Sequence, residues 1–246
     1  MKPKALVFGH TGQDGRLLTT LLVKHGFSVI GISSGEMLEE NSSQKNSFNV
    51  SSKTDMEYLI ENHKPEQIYY LSAFHSSTEN LGALPSVEIY RRSIEVNAVG
   101  FLNVLHAVAQ KNPLSRIFYA SSSHVFGNPI VAPQDEGHPR NPLAPYGQSK
   151  SLGMDIAQYY RHHHHLYCSS GILYNHESHF RCPSFFSKKV SVGVANIIRG
   201  KQKKLIVGNL DSVVDWSHAN DVVMAMYLSL SVDQPMDYVI ASGKGH

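Results

Sequence analysis

Tyr146 and Lys150 stand four residues apart at the start of a helical stretch, a spacing that puts a phenol and an ammonium on one helix face. A phenol with an ordinary pKa near 10 is a poor base at neutral pH. A nearby ammonium favours the phenolate, which can then accept a hydroxyl proton during hydride transfer. Tyrosine and lysine at this spacing recur by chance, so the neighbours decide. Ser121-Ser122-Ser123 directly follow an apolar segment ending at Ala120. If that segment is a parallel strand, a hydroxyl falls at the carboxyl edge of the sheet, where such folds hold ligands.

A second constellation lies near the start of the chain: Gly9-His10-Thr11-Gly12-Gln13-Asp14-Gly15, between the strand-like Ala5-Leu6-Val7-Phe8 and a helical stretch ending before Gly26. Glycines at these intervals allow a tight turn and close approach of backbone to a pyrophosphate, whose charge meets unpaired N–H groups at the helix start. The turn is expected to hold a dinucleotide through Gly9, Thr11, Gly12, Gln13, Asp14 and Gly15. Which dinucleotide is less clear. An NAD site wants a carboxylate at the end of the second strand and an NADP site wants Arg or Lys, and Gly31-Ile32-Ser33-Ser34-Gly35-Glu36 offers neither at the usual place. Glu36 could reach a ribose, or lie on an exposed loop.

These residues need elements to hold them. Apolar periodicity predicts strands at 5–8, 27–32, 67–71, 116–120 and 167–174, and helices at 16–25, 54–63, 87–111 and 146–162. Strand and helix alternate, so an α/β doubly wound parallel sheet, a Rossmann fold, is expected over residues 1–175. Residues 176–246 are expected to form a small, partial substrate-binding region packed on it. Within that region the pattern predicts a helix at 187–199, a strand at 205–207, a helix at 218–231 and a strand at 238–241. The apolar residues Phe101, Leu102, Val104, Leu105 and Val108 exceed one narrow stripe and suggest a second buried face.

Composition removes several classes. There are 22 basic and 20 acidic residues, a net charge of +2, so no excess field marks a nucleic-acid binder or an anionic-membrane binder. No apolar run approaches a membrane span. Met1-Lys2-Pro3-Lys4 leads into a strand rather than a signal peptide, and Cys168 and Cys182 form no C-x-x-C, so a cytoplasmic protein is expected. The run His162–His165 sits at a helix end, where the rings diverge. A solvated terminus suits it better than a metal site, and no metal is expected.

Read together, the chain resembles the extended short-chain dehydrogenase/reductase superfamily and, within it, the GDP-mannose 4,6-dehydratase family. The resemblance rests on the glycine turn, Val96-Asn97-Ala98-Val99-Gly100 with Asn103, residues 120–127, Tyr146 to Lys150, Ser170-Gly171-Ile172-Leu173-Tyr174-Asn175-His176-Glu177-Ser178, and Gly208-Asn209-Leu210-Asp211 with Asp215-Trp216. It implies an NADP- or NAD-dependent enzyme acting on a nucleotide-diphosphate hexose, with GDP-mannose favoured. Hydride leaves C4, water leaves across C5 and C6, and hydride returns to C6. By match, Tyr146 would take the C4 hydroxyl proton, Lys150 would be its electrostatic partner and ribose ligand, and Ser122 would orient the C4 oxygen. Leu71, Ser72, Ala73 and Asn49 would border the cofactor. Ser123, Asn175, Glu177, Arg181 and Lys189 would meet the substrate, Asn175 at its diphosphate. Relatives pair the helices at 87–111 and 146–162 between subunits, which implies a homodimer or homotetramer.

The sequence departs from that pattern at four places. His124 stands where the dehydratases carry a glutamate for the elimination. The arginine after the second strand is replaced around Ser33 and Ser34. Asn49 replaces an acidic adenine ligand, and Val214 replaces a diphosphate-binding arginine, for which Arg181, Lys188 and Lys189 are possible substitutes. Relatives also continue past the strand at 238–241 with further substrate-binding structure, so either the sequence is part of a longer protein or this member lacks part of the sugar pocket. A dehydratase is therefore weighed against an epimerase or 4-keto reductase using the same Ser122, Tyr146 and Lys150, and against a catalytically weak nucleotide-binding homologue.

Overall fold

The computed structural model describes residues 2–33, 36–39, 48–75 and 85–246. Strand β1 (Lys4–Phe8), helix α1 (Gln13–Lys24) and strand β2 (Ser28–Ser33) form the first unit. β3 (Glu36–Glu39), α2 (Lys53–His63), β4 (Gln67–Tyr70), α3 (Ser86–Ile94), α4 (Gly100–Lys111) and β5 (Arg116–Ala120) follow. The remainder is α5 (Pro145–His163), β6 (Tyr167–Leu173), β7 (Asn175–Glu177), α6 (Phe186–Ile198), β8 (Trp216–His218), α7 (Ala219–Ser229) and β9 (Asp237–Ile240).

Seven strands make one sheet in the order β3-β2-β1-β4-β5-β6-β9. All neighbours are parallel except β3, which runs against β2 with Ser33 opposite Glu36. The chain leaves β1 toward β2 and returns to β4 on the other side, so the strand order reverses between β1 and β4. A crevice opens at their carboxyl ends for that reason. Alternation along each strand fills two cores. Leu6, Phe8, Ile68, Tyr70, Ile117 and Tyr119 face α2, α4 and α5, whereas Ala5, Val7, Tyr69 and Phe118 face α1 and α7. The doubly wound architecture expected from the sequence is present.

The expected single helix over 87–111 is continuous but not uniform: α3 and α4 are joined by a π turn, Glu95–Val99. One residue is added there, and Asn97 turns into the interior, fully buried. The apolar residues read as a second face need correction. Phe101, Val104, Leu105 and Val108 are buried within this chain, and Leu102 packs against the same core. The apolar side chains left exposed on these helices are instead Val87, Tyr90, Ile94, Val99, Leu152 and Tyr159.

The strand expected at 205–207 does not form. Its apolar triplet has no partner strand, and Leu205 packs against α6 at Gly193, where a Cβ would lie 2.6 Å from its side chain. The segment after β6 instead makes a two-stranded parallel sheet, β7 with β8, which the sequence did not announce. β9 returns to the main sheet beside β6. At the end of α5, His163 and His164 lie against Tyr159 and Tyr160, with ring centroids 4.5 and 4.6 Å apart. Among the described residues no group of three or more His, Cys, Asp or Glu could hold a metal ion, and no helix is long and apolar enough to cross a membrane.

Candidate active site

At the crevice beside β1 and β4 lies a cleft of ≈ 590 Å³, and its floor is the glycine turn: Gly9, Thr11, Gly12, Gln13, Asp14 and Gly15, with Leu71 and Ala73. Gly15 allows α1 to start directly against the turn, since a Cβ there would lie 2.3 Å from the Gly9 carbonyl oxygen and 2.4 Å from the His10 Cα. Gly12 caps α1 without a side chain, so the first N–H groups of the helix have no side-chain partner. A backbone cradle of this kind suits a pyrophosphate, and a dinucleotide fits the residues present. Ser72 lies at the same edge, its backbone nitrogen 2.9 Å from where a Gly9 Cβ would stand. At the end of β2 the Ser33 hydroxyl is 2.6 Å from that of Thr11, so the position that discriminates cofactors carries a neutral hydroxyl pair. Ser34 lies outside the described residues, as does the Glu36 side chain. Asn49 does not line the cleft. It sits on the turn before α2, where its amide oxygen accepts from the Ser51 N–H.

Ser122, Ser123 and His124 enter on a 3-10 turn, Ser123–Phe126, which begins where β5 ends. The Ser122 hydroxyl caps that turn by accepting from the His124 N–H. α5 comes close because its first turn carries Gly147, where a Cβ would lie 2.5 Å from the His124 carbonyl oxygen. Tyr146 and Lys150 are thereby set beside Ser122. Burial pushes the Tyr146 phenol up to about 12, with hydrogen bonding to Ser122 and the charge of Arg181 opposing it. The Lys150 ammonium is fully buried, donates to the Ala120 carbonyl at 2.7 Å and lies 5.8 Å from the Tyr146 ring centroid. Its burial lowers its pKa to about 7. The sequence stressed ammonium–phenolate attraction, whereas in the folded chain desolvation dominates both groups.

Asn97 ties these parts together. Its amide donates to the Ser149 hydroxyl at 2.9 Å and to the Phe74 carbonyl, and accepts from the Phe74 N–H. Ser149 in turn donates to the Tyr146 carbonyl. One amide from the π turn thus joins α5 to the loop after β4.

That loop brings in a residue the sequence reading missed. The His75 ring meets the Tyr146 ring edge-on at 4.7 Å and stacks on Phe185 at 5.7 Å. His124 meets Tyr146 from another side at 5.6 Å, 6.4 Å from His75. Burial lowers the pKa of His124. A histidine in a loop has no periodic signal, so only the return of β4 to the sheet centre could reveal it.

The remaining candidates lie after β6. Asn175 opens β7 opposite Trp216. Glu177 approaches Arg181 at 3.2 Å and accepts from the Ser187 hydroxyl. The Arg181 guanidinium lies 3.7 Å over Phe185, and both line the cleft. Lys189 is on α6. This segment is tied to the glycine turn by a buried pair, His176 Nε2 to Asp14 Oδ2 at 2.9 Å, and by Gln13, which donates to the His176 carbonyl and accepts from Ser178. Val214 is engaged through its backbone with His246.

Three comparisons with known proteins bear on the cleft and the residues beside it. The model of the GDP-mannose 4,6 dehydratase family matches residues 6–246. GDP-mannose 4,6-dehydratase of Vibrio cholerae is 33% identical over 264 aligned residues, covering 99% of this chain and 68% of the relative. UDP-glucose 4-epimerase of Thermotoga maritima, solved with UDP-glucose, superposes with a TM-score of 0.82 at 22% identity over 99% of this chain and 78% of that one. dTDP-glucose 4,6-dehydratase of Bacillus anthracis, solved with NAD, gives 0.78 at 19% identity over 99% and 76%. The two structures share the fold, and the family match over residues 6–246 includes the 3-10 turn after β5, α5 and the segment after β6: this chain belongs to the GDP-mannose 4,6-dehydratase family.

Proposed function

We propose that this protein is a nucleotide-sugar 4,6-dehydratase that uses NADP or NAD and acts on GDP-mannose or a close relative. The observation that carries the reading is the convergence of Ser122, Tyr146 and Lys150 at the carboxyl edge of the sheet, beside a glycine-floored cleft, in a chain of this family. The bound nicotinamide supplies the hydride acceptor and donor. Tyr146 takes the proton of the C4 hydroxyl, Ser122 holds the C4 oxygen by hydrogen bonding, and Lys150 supplies positive charge next to the phenol as it ionises. His124 moves the proton in the elimination. Arg181, at the cleft wall, takes the charge of the sugar diphosphate in place of the arginine that Val214 lacks. Residues 176–246 form the substrate side and 1–175 the cofactor side. The reading also puts the protein in the cytoplasm, where the exposed thiol of Cys182 stays reduced.

Incubation of the protein with GDP-mannose and each dinucleotide, followed by mass spectrometry, should give a product lighter by one water. A second reading, an epimerase or 4-keto reductase, is favoured by one feature, the imidazole of His124 where elimination calls for a carboxylate. Water loss by His124→Glu but not by the native protein would establish that alternative.

A homodimer or homotetramer is part of the same proposal. Tyr90, Ile94 and Val99 on the α3 side and Leu152 and Tyr159 on α5 are exposed apolar side chains on neighbouring helices, which supports pairing through that face. Light scattering coupled to size exclusion should give at least twice 27.3 kDa at micromolar concentration. A mass of one chain would remove the proposal.

A further inference from the structure

We propose that His75 is a second acid–base residue of the elimination, sharing one proton with His124 across the ring of Tyr146. The inference rests on the dehydratase reading and deepens it.

Elimination of water from the 4-keto sugar has a fixed proton account. The C5–H bond breaks and leaves its electron pair to the new C5–C6 double bond. The C6–O bond breaks, and hydroxide departs as water by taking up a proton. A group that accepts the C5 proton while neutral and returns it to the C6 oxygen closes the account, with no external acid or base consumed.

Among the described residues, the carboxylates Asp14 and Glu177 near the site are committed elsewhere. Asp14 is paired with His176, and Glu177 is held between Arg181 and Ser187. What stands free at the phenol is a pair of imidazoles on two different elements. His75 lies on the loop after β4 and His124 on the 3-10 turn after β5. Both imidazoles are packed on one side and keep part of their surface exposed, while Tyr146 between them is half-buried. Both rings meet the phenol ring nearly at right angles, at 85° and 83°.

Their surroundings keep the pair from holding two protons. His75 faces His124 on the 3-10 turn, Tyr146 and Lys150 on α5, and Arg181 from the segment after β7. Its aromatic neighbours strip water from one side of the ring. That desolvation, with the positive fields of His124, Arg181 and Lys150, lowers its pKa to about 4. Each imidazole is therefore neutral at rest, and the proton from C5 is the one in transit. The stack of His75 on Phe185, itself under the Arg181 guanidinium, fixes the ring from behind.

The test separates the steps of the reaction. Reduced nicotinamide, followed by absorbance, reports C4 oxidation, and mass spectrometry in D2O reports water loss and deuterium at C5. In His75→Gln the ratio of water loss to C4 oxidation should fall by about a hundredfold or more, the low end of general acid–base effects. The pH limb of the water-loss rate should move. Combined with His124→Gln the double variant should be no worse than the weaker single one, as for residues that act as a unit. Circular dichroism of each variant identifies simple unfolding, and His75→Asn, which keeps a polar side chain of smaller size, repeats the measurement if Gln misfolds. Native protein that loses water while His75→Gln and His75→Asn keep its rate and pH profile overturns the role of His75 alone. Multiplicative losses in the double variant overturn the shared proton. Native protein that loses no water overturns the dehydratase reading, and this proposal with it.

Discussion

Tyr146→Phe should lower kcat by about 10² to 10⁴ while leaving KM for the sugar nucleotide within a few-fold, because the phenolic oxygen handles a proton in the transition state and the ring holds position in the ground state. The ring is packed between His75 and His124, and Phe preserves both contacts. The folded protein should therefore survive the change. The pH dependence adds a check. With the phenol pushed up to about 12 and Lys150 down to about 7, the uncharged form of the pair prevails well above neutrality. Loss of the Lys150 charge as pH rises removes the field that aids ionisation of Tyr146. Native activity should show a break that Lys150→Arg, whose charge does not titrate in this range, shifts to higher pH. Steady-state kinetics across pH measures both, and a Tyr146→Phe enzyme within threefold of native kcat would dismiss the phenol as proton acceptor.

The second large effect is on stability. Asp14→Asn removes the counter-ion of His176, which can then shed its proton, so the cost is that of a charge-assisted hydrogen bond, about 1.5–3 kcal/mol. Burial alone would raise Asp14 and lower His176. The pairing outweighs it, and Asp14 is held below its ordinary value while His176 is held above its own. The sign follows for each. The Asp14 contribution is present above the ordinary carboxylate value of 3.8 and fades as pH falls through its depressed pKa. The His176 contribution is present below 6.5 and fades as pH rises through its elevated pKa. The cost of Asp14→Asn should therefore be greatest near pH 5 to 6, a loss in Tm of roughly 5 °C, and should shrink in alkaline buffer. Urea titrations at several pH values test it, and a cost that does not vary with pH would mean that the two side chains matter for packing rather than charge.

What the sequence revealed and what it hid follow from the range of each interaction. The glycine turn, the pairing of Tyr146 with Lys150 and the hydroxyl at Ser122 are local patterns: each declares itself within a few residues of an element boundary. The alternation of strand and helix is similarly local, which is why the Rossmann architecture was legible. The Asp14–His176 pair spans 162 residues and His75 has no spacing partner, so neither is visible before the sheet order brings β4 and β6 near β1. The triplet Leu205-Ile206-Val207 has the composition of a strand, yet strand formation needs a neighbour with free backbone groups. In the folded chain β6 is taken by β9 and β7 by β8. Phe101 and Val108 misled for the opposite reason: a helix wedged between sheet and α2 buries a wide arc without any second subunit.

The position of β9 beside β6 also bears on how the chain is made. During synthesis β6 emerges long before β9, with α6, β8 and α7 between them. Until β9 arrives, one side of β6 is a row of unsatisfied amides and carbonyls, a template on which another nascent chain can pair. The Arg161–Asp237 contact spans the same junction and fastens the arriving strand to α5. In the interval between translation of these two strands that edge is open to such pairing.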